Sequence, residues 1–197
     1  MSASGGSDLR QGNHGERLFV AWLPDAAARD ALAAAAASWR ASGDVPGLRW
    51  VAPANLHLTL RFLGACTAMQ RDGMDAGLAA LAARRAPCAA RTAGCAAWPS
   101  ARAPRVLVLE LAAHPALAEL AAACETLARD CGHAAEPRRF RPHVTLARVR
   151  PGTILPSAPP AVPAIACRVD ALALVRSTPG PDGSVYEPLA RFPLATP

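Results

Sequence analysis

Two distant segments of this chain carry one pattern, His57-Leu58-Thr59-Leu60 and His143-Val144-Thr145-Leu146. The chain has 5 histidines and 8 threonines in 197 residues, which makes about 0.2 H-x-T pairs the chance expectation. The surroundings match as well. An apolar run over Arg17–Leu23 (RLFVAWL) reads as a buried strand, Pro24-Asp25 opens a helix to about Arg40, and Leu56–Leu63 alternates His, Thr and Arg against Leu, Leu and Phe as a two-faced strand does. In the second half Arg105–Leu111 (RVLVLEL) reads as a strand, Pro115 to about Cys131 as a helix followed by Gly132, and Phe140–Val149 as a strand. Leu18 precedes His57 by 39 positions and Val106 precedes His143 by 37. The order strand, helix, H-x-T-L strand therefore occurs twice, as in an internal duplication. Such a unit commonly packs about an approximate two-fold axis, which brings equivalent strands around one cleft.

Further elements fill in the rest. Leu48–Val51 is short and extended, a helix is predicted over about Ala68–Arg84, and a strand near Cys88–Ala97. Pro151–Pro163 is a proline-rich connection. Ile165–Arg176 and Val185–Leu194 read as two closing strands joined by a Gly180–Gly183 turn. Residues 1–16, rich in Gly, Ser and polar groups, read as a flexible tail, leaving 17–197 as one domain.

The motif spacing has a chemical reason. Side chains two apart on a strand share a face, so His57 and Thr59 point one way and Leu58 and Leu60 the other. The same holds for His143 and Thr145. In-line cleavage of a phosphodiester needs a base for the attacking water and an acid for the leaving oxygen. Two imidazoles with ordinary pKa values of about 6.5 can supply both. The threonine hydroxyls can donate hydrogen bonds to the non-bridging oxygens. By alternation Arg61 and Arg141 fall on the motif faces and are secondary candidates for attracting a substrate phosphate. Phe19 could offer a stacking surface for a base. His14, His114 and His133 read as surface residues.

Composition narrows the alternatives. All 21 basic residues are arginine. The absence of lysine excludes a lysyl-adenylate ligase and a P-loop lysine. There is no G-x-S-x-G, H-E-x-x-H or G-x-G-x-x-G. The net charge of +6 suits a polyanionic partner. The six cysteines form no C-x-x-C pair and read as buried free thiols rather than a zinc site. No apolar stretch reads as a membrane span or secretory signal, so the cytoplasm is the expected compartment.

The segments RLFVAWLP, NLHLTLRFLG, APRVLVLEL, FRPHVTLARVR and YEPLARFPL resemble the bacterial and archaeal RNA 2′,3′-cyclic phosphodiesterases, also called 2′-5′ RNA ligases, of the 2H phosphoesterase superfamily. The resemblance covers about Arg17 to Leu194. It implies an α+β, bilobal 2H phosphoesterase fold. Two pseudo-symmetric lobes, each with an antiparallel sheet and outer helices, would flank an active-site cleft. It also implies metal-independent, cofactor-free hydrolysis of a terminal 2′,3′-cyclic phosphate to a 2′-phosphomonoester. His57 and His143 would be catalytic, with His143 the base and His57 the acid. Thr59 and Thr145 would hold phosphate, and Arg148 would contact substrate. Strict alternation puts Arg148 on the face opposite His143, so this last role requires the strand to end or bulge there. The implied partners are RNA ends or small cyclic nucleotides, bound by a monomer. Other readings remain open: RNA joining by reversal at the same histidines, turnover of another cyclic nucleotide, or an RNA-end binding module without turnover.

Overall fold

A computed structural model describes residues 15–43, 45–155, 160–181 and 183–195. The expected tail lies outside the described residues up to residue 14, as do parts of the proline-rich connection and of the Gly180–Gly183 turn. The elements in chain order are β1 (Glu16–Trp22), α1 (Ala26–Ala41), β2 (Leu48–Trp50), a 3₁₀ turn (Pro53–Asn55), β3 (Leu58–Cys66), α2 (Ala68–Ala82), β4 (Cys88–Trp98), β5 (Val106–Leu111), α3 (Pro115–Asp130), β6 (His143–Val149), β7 (Ala166–Val169), β8 (Ala171–Gly180) and β9 (Gly183–Pro193). β1 thus begins at Glu16, one residue before the expected strand.

Local chemistry starts each helix. The Asp25 carboxylate accepts a hydrogen bond from the Ala28 amide at 2.8 Å, and Thr67 with Gln70 forms a capping box at α2. Pro115 occupies the first turn of α3. Spacing of three and four residues then sets the buried stripes: Ala28, Leu32, Ala35 and Trp39 on α1, Met74, Leu78 and Ala82 on α2, and Leu117, Leu120, Ala121, Cys124 and Ala128 on α3. These stripes pack on one face of the sheet in a core that includes Trp22, Leu58, Leu109, Val144 and Leu146.

All strand pairings are antiparallel, in the order β7-β4-β5-β6-β3-β1-β8-β9, with β2 beside β6. The order divides into two mirrored sets, β3-β1-β8-β9 and β6-β5-β4-β7. Among the described residues the sets join through Leu58↔Val144, between β3 and β6. The halves exchange strands: β4 follows the first motif yet pairs with β5, while β8 and β9 end the chain yet join β1. The single strand expected over Ile165–Arg176 is two strands, broken at Asp170. β7 pairs with β4 in one lobe and β8 with β1 in the other, so one extended segment crosses between lobes. All six cysteines are free. Burial pushes the Cys124 thiol up to about 12 and Cys66 and Cys95 to about 11, which leaves them unreactive near neutral pH.

Candidate active site

The motifs meet at the junction of the two lobes. Leu58 and Val144 are fully buried and point into the core. Carrying the antiparallel register one residue to each side puts His57 opposite Thr145 and Thr59 opposite His143 on the other face. The two histidines are then diagonal neighbours at roughly 7–8 Å, and the two threonines occupy the other diagonal. An antiparallel pair has a local two-fold axis, so this arrangement is what a duplicated unit produces when its equivalent strands pair.

Both rings are fixed in the same way. His57 Nδ1 lies 2.7 Å from the Asn55 carbonyl oxygen, and His143 Nδ1 lies 2.7 Å from the Arg141 carbonyl oxygen. A carbonyl only accepts, so each Nδ1 carries a proton and donates it. Each neutral ring therefore keeps Nε2 as an acceptor with no partner among the described residues. Burial lowers the pKa of both below the ordinary value near 6.5, and the Nδ1 hydrogen bonds oppose it. The charges of His143 and Arg148 lower His57 further. At His143 the Arg141 guanidinium lowers and the Glu110 carboxylate raises.

The two motif strands share one irregularity. Ala21 pairs with Thr59 and Val20 with Arg61, which leaves Leu60 as an extra residue. Val108 pairs with Thr145 and Leu107 with Ala147, which leaves Leu146 as an extra residue. In both strands half-buried His and Thr alternate with buried residues. Two successive buried positions follow (Leu60-Arg61, Leu146-Ala147), then an exposed one, Phe62 or Arg148. A bulge shifts the parity of every later side chain. It turns Arg148 to the face of His143 and Thr145, where its charge reaches His57.

The same bulge corrects the expectation for Arg61. This arginine is 7% exposed and points away from the motif face. Its Nε meets the Glu125 carboxylate of α3, and its terminal nitrogens donate to the carbonyls of Phe62 and Ala134. Arg141 lies over the Trp98 ring at 3.8 Å and pairs with Glu110 at 3.0 Å. Trp98 Nε1 donates to Glu110 at 3.1 Å, and the Trp98 ring lies 4.5 Å from His143, tilted by 53°. Arg141 is thus held by Trp98 and Glu110, with its side chain still largely exposed. Phe19 is buried rather than open to a base, with its ring 5.0 Å from His57 and 5.2 Å from Tyr186. Together with Asn55, Leu23 and Pro188 these rings line a cavity of about 230 Å³ beside His57.

Tyr186, Trp98, Glu110 and Asn55 join the site without a motif to mark them. Alternation along RVLVLEL does show Glu110 facing away from Leu109 and Leu111, which is a usable signal. Tyr186 reaches His57 only because β9 joins the other half's lobe, which no local pattern encodes. His114 and His133 lie near helix ends, while His14 lies outside the described residues. Among the described residues no three His, Cys, Asp or Glu side chains gather as metal ligands would, and no helix is long and apolar enough to cross a membrane.

The sequence and the fold have known counterparts. A family model described as the 2′-5′ RNA ligase superfamily matches residues 27–181. The RNA 2′,3′-cyclic phosphodiesterase of Thermus thermophilus is 36% identical over 156 residues, 75% of this chain and 76% of that protein. Matches to the proteins of the same name from Bacillus subtilis and Geobacillus stearothermophilus span about half of those relatives' length, 55% and 50%. Among solved structures, TT0787 of Thermus thermophilus superposes with a TM-score of 0.76 at 31% identity, covering 90% of this chain and 97% of that one. LigT of E. coli, solved with 3′-AMP, superposes at 0.73 and 28% identity, covering 92% and 99%. The paired strands with their two H-x-T faces, the matching family model and the shared bilobal fold agree: the chain belongs to the 2′-5′ RNA ligase superfamily, within the 2H phosphoesterases.

Proposed function

We propose that the chain is an RNA 2′,3′-cyclic phosphodiesterase that leaves a 2′-phosphomonoester by two-histidine acid–base catalysis. One observation carries this reading: two imidazoles, each with Nδ1 committed to a backbone carbonyl, stand diagonally across the β3–β6 pair with Nε2 free. In hydrolysis His143 Nε2 takes a proton from water as its oxygen bonds to phosphorus. The P–O3′ bond breaks, and protonated His57 Nε2 gives its proton to O3′. Thr59 and Thr145 donate to the non-bridging oxygens, and Arg148 offsets their charge. With a 5′-hydroxyl in place of water the same step would join two ends through a 2′-5′ linkage: His143 takes the hydroxyl proton as its oxygen bonds to phosphorus, and O3′ leaves with the proton from His57. The names of the relatives support the substrate class.

The test is product analysis on an RNA ending in a 2′,3′-cyclic phosphate, in excess EDTA. A 2′-phosphate end formed at an undiminished rate is expected. A 3′-phosphate end, or loss of turnover on chelation, contradicts the mechanism. Tight binding of the end without turnover would instead make the chain a binding module.

The pH dependence follows from the histidines. Falling pH protonates the base and rising pH deprotonates the acid, so kcat/KM should trace a bell. Burial lowers both free-enzyme pKa values, so the bell should centre below about pH 6.5, with limbs belonging to the coupled pair. A bound phosphate anion favours both protonated rings, so the kcat profile should lie to the alkaline side of the kcat/KM profile. Parallel pH–rate profiles check this, and a kcat/KM profile flat from about pH 5 to about pH 8 contradicts it.

A further inference from the structure

Beside the motif face an open groove of about 520 Å³ is lined by Arg49, Arg105, Arg148 and Arg150. The strand register builds it. Arg49 of β2 and Val106 of β5 both pair with Arg148 of β6, so Arg49 stands directly beside Arg148 and Arg105 adjoins on the other side. None of the four makes an ion pair with a described carboxylate. The start of β9 lies beside Arg49: a Cβ on Gly183, whose φ is +126°, would lie 3.5 Å from the Arg49 guanidinium carbon. Asn55 Nδ2 donates to the carbonyl of Ser184, the next residue of β9, at 3.3 Å. Four guanidinium groups in one groove repel one another, and a chain of phosphates relieves that repulsion with bidentate hydrogen bonds.

We propose that this groove holds the phosphates on the 5′ side of the reacting group, so that the protein selects an oligoribonucleotide end over a free cyclic mononucleotide. The proposal rests on the reading of the preceding subsection. A 2′,3′-cyclic phosphate terminates its strand, so the remaining nucleotides can leave the site only in the 5′ direction. The groove meets the site at Arg148, the one arginine common to both, and offers three further guanidinium groups beyond it.

The test compares wild type with the triple variant Arg49→Ala/Arg105→Ala/Arg150→Ala, which retains Arg148. Two substrates are used: a 2′,3′-cyclic mononucleotide and a short oligoribonucleotide ending in the cyclic phosphate. The ratio of their kcat/KM values should fall by about tenfold or more. The salt dependence of oligoribonucleotide binding should also become shallower, by about 0.7 in log–log slope for each phosphate no longer neutralised. An unchanged ratio, or equal losses on both substrates, overturns the groove's role. Fluorescence anisotropy with a labelled single-stranded oligoribonucleotide reads the groove without turnover. Weakened binding by the triple variant supports it even where hydrolysis is absent, and that absence would count against the activity alone. Unchanged affinity and salt slope overturn it even where hydrolysis proceeds.

Discussion

His57→Ala and His143→Ala are each expected to lower kcat on a 2′,3′-cyclic nucleotide by about 10²- to 10⁴-fold, the usual contribution of one positioned proton-transfer group. The double variant should lose little more than the worse single one. Removing either partner stops concerted transfer, and the remaining threonines and Arg148 then act alone in both cases. His57 also packs between Phe19 and Tyr186, and His143 against Trp98, so truncation removes some packing. Gln variants, which retain more volume, separate the two effects: they should unfold near the parental temperature and still be slow. Steady-state rates beside thermal unfolding curves check this. Either alanine variant at a near-normal rate would contradict the assigned roles.

The largest stability effect should come from a pair whose arginine sequence alternation places at the active site. Arg61 is buried against Glu125 and gives its remaining donors to the Phe62 and Ala134 carbonyls. Glu125 Oε1 in turn accepts from the Glu136 amide at 3.2 Å. Glu125→Ala leaves the buried guanidinium without this counter-charge; breaking a fully buried pair costs about 3–5 kcal/mol, and the 28% exposure of Glu125 discounts this to about 2–4 kcal/mol. At about 2–4 °C per kcal/mol for a chain of this size, Tm should fall by roughly 4–16 °C. The double variant Arg61→Met/Glu125→Leu removes both charges and keeps volume, so it should recover most of that stability. Cyclic-nucleotide turnover below Tm should stay within about threefold for both, because the bulge turns Arg61 away from the histidines. A shift under about 2 °C for Glu125→Ala, less than the effect of one kcal/mol, would contradict the buried-pair assignment.

The comparison of Arg61 with Arg148 shows where sequence reading reaches and where it stops. The histidines and threonines are legible because two-residue alternation and a repeated context are local properties. The starts of α1 and α3 are legible for the same reason, through Asp25 and Pro115. The bulges at Leu60 and Leu146 are not. They arise where β3 fits β1 and β6 fits β5, and nothing in L-R-F or L-A-R announces them. One unseen residue in each strand reverses the faces of both arginines. It turns Arg148 to the motif face and takes Arg61 off it. The break at Asp170 is hidden for a related reason. An extended segment that changes lobes looks, residue by residue, like one long strand.

The most direct test of two imidazoles acting on one phosphate is a long-range ¹H–¹⁵N NMR spectrum of the histidine rings, recorded while a 2′-phosphomononucleotide is titrated in. His57 and His143 should both start as the Nδ1–H tautomer, and both Nε2 resonances should move along one shared saturation curve as each ring gains proton character beside the anion. A response confined to one ring, or two rings saturating at different concentrations, would show that they do not serve a single phosphate.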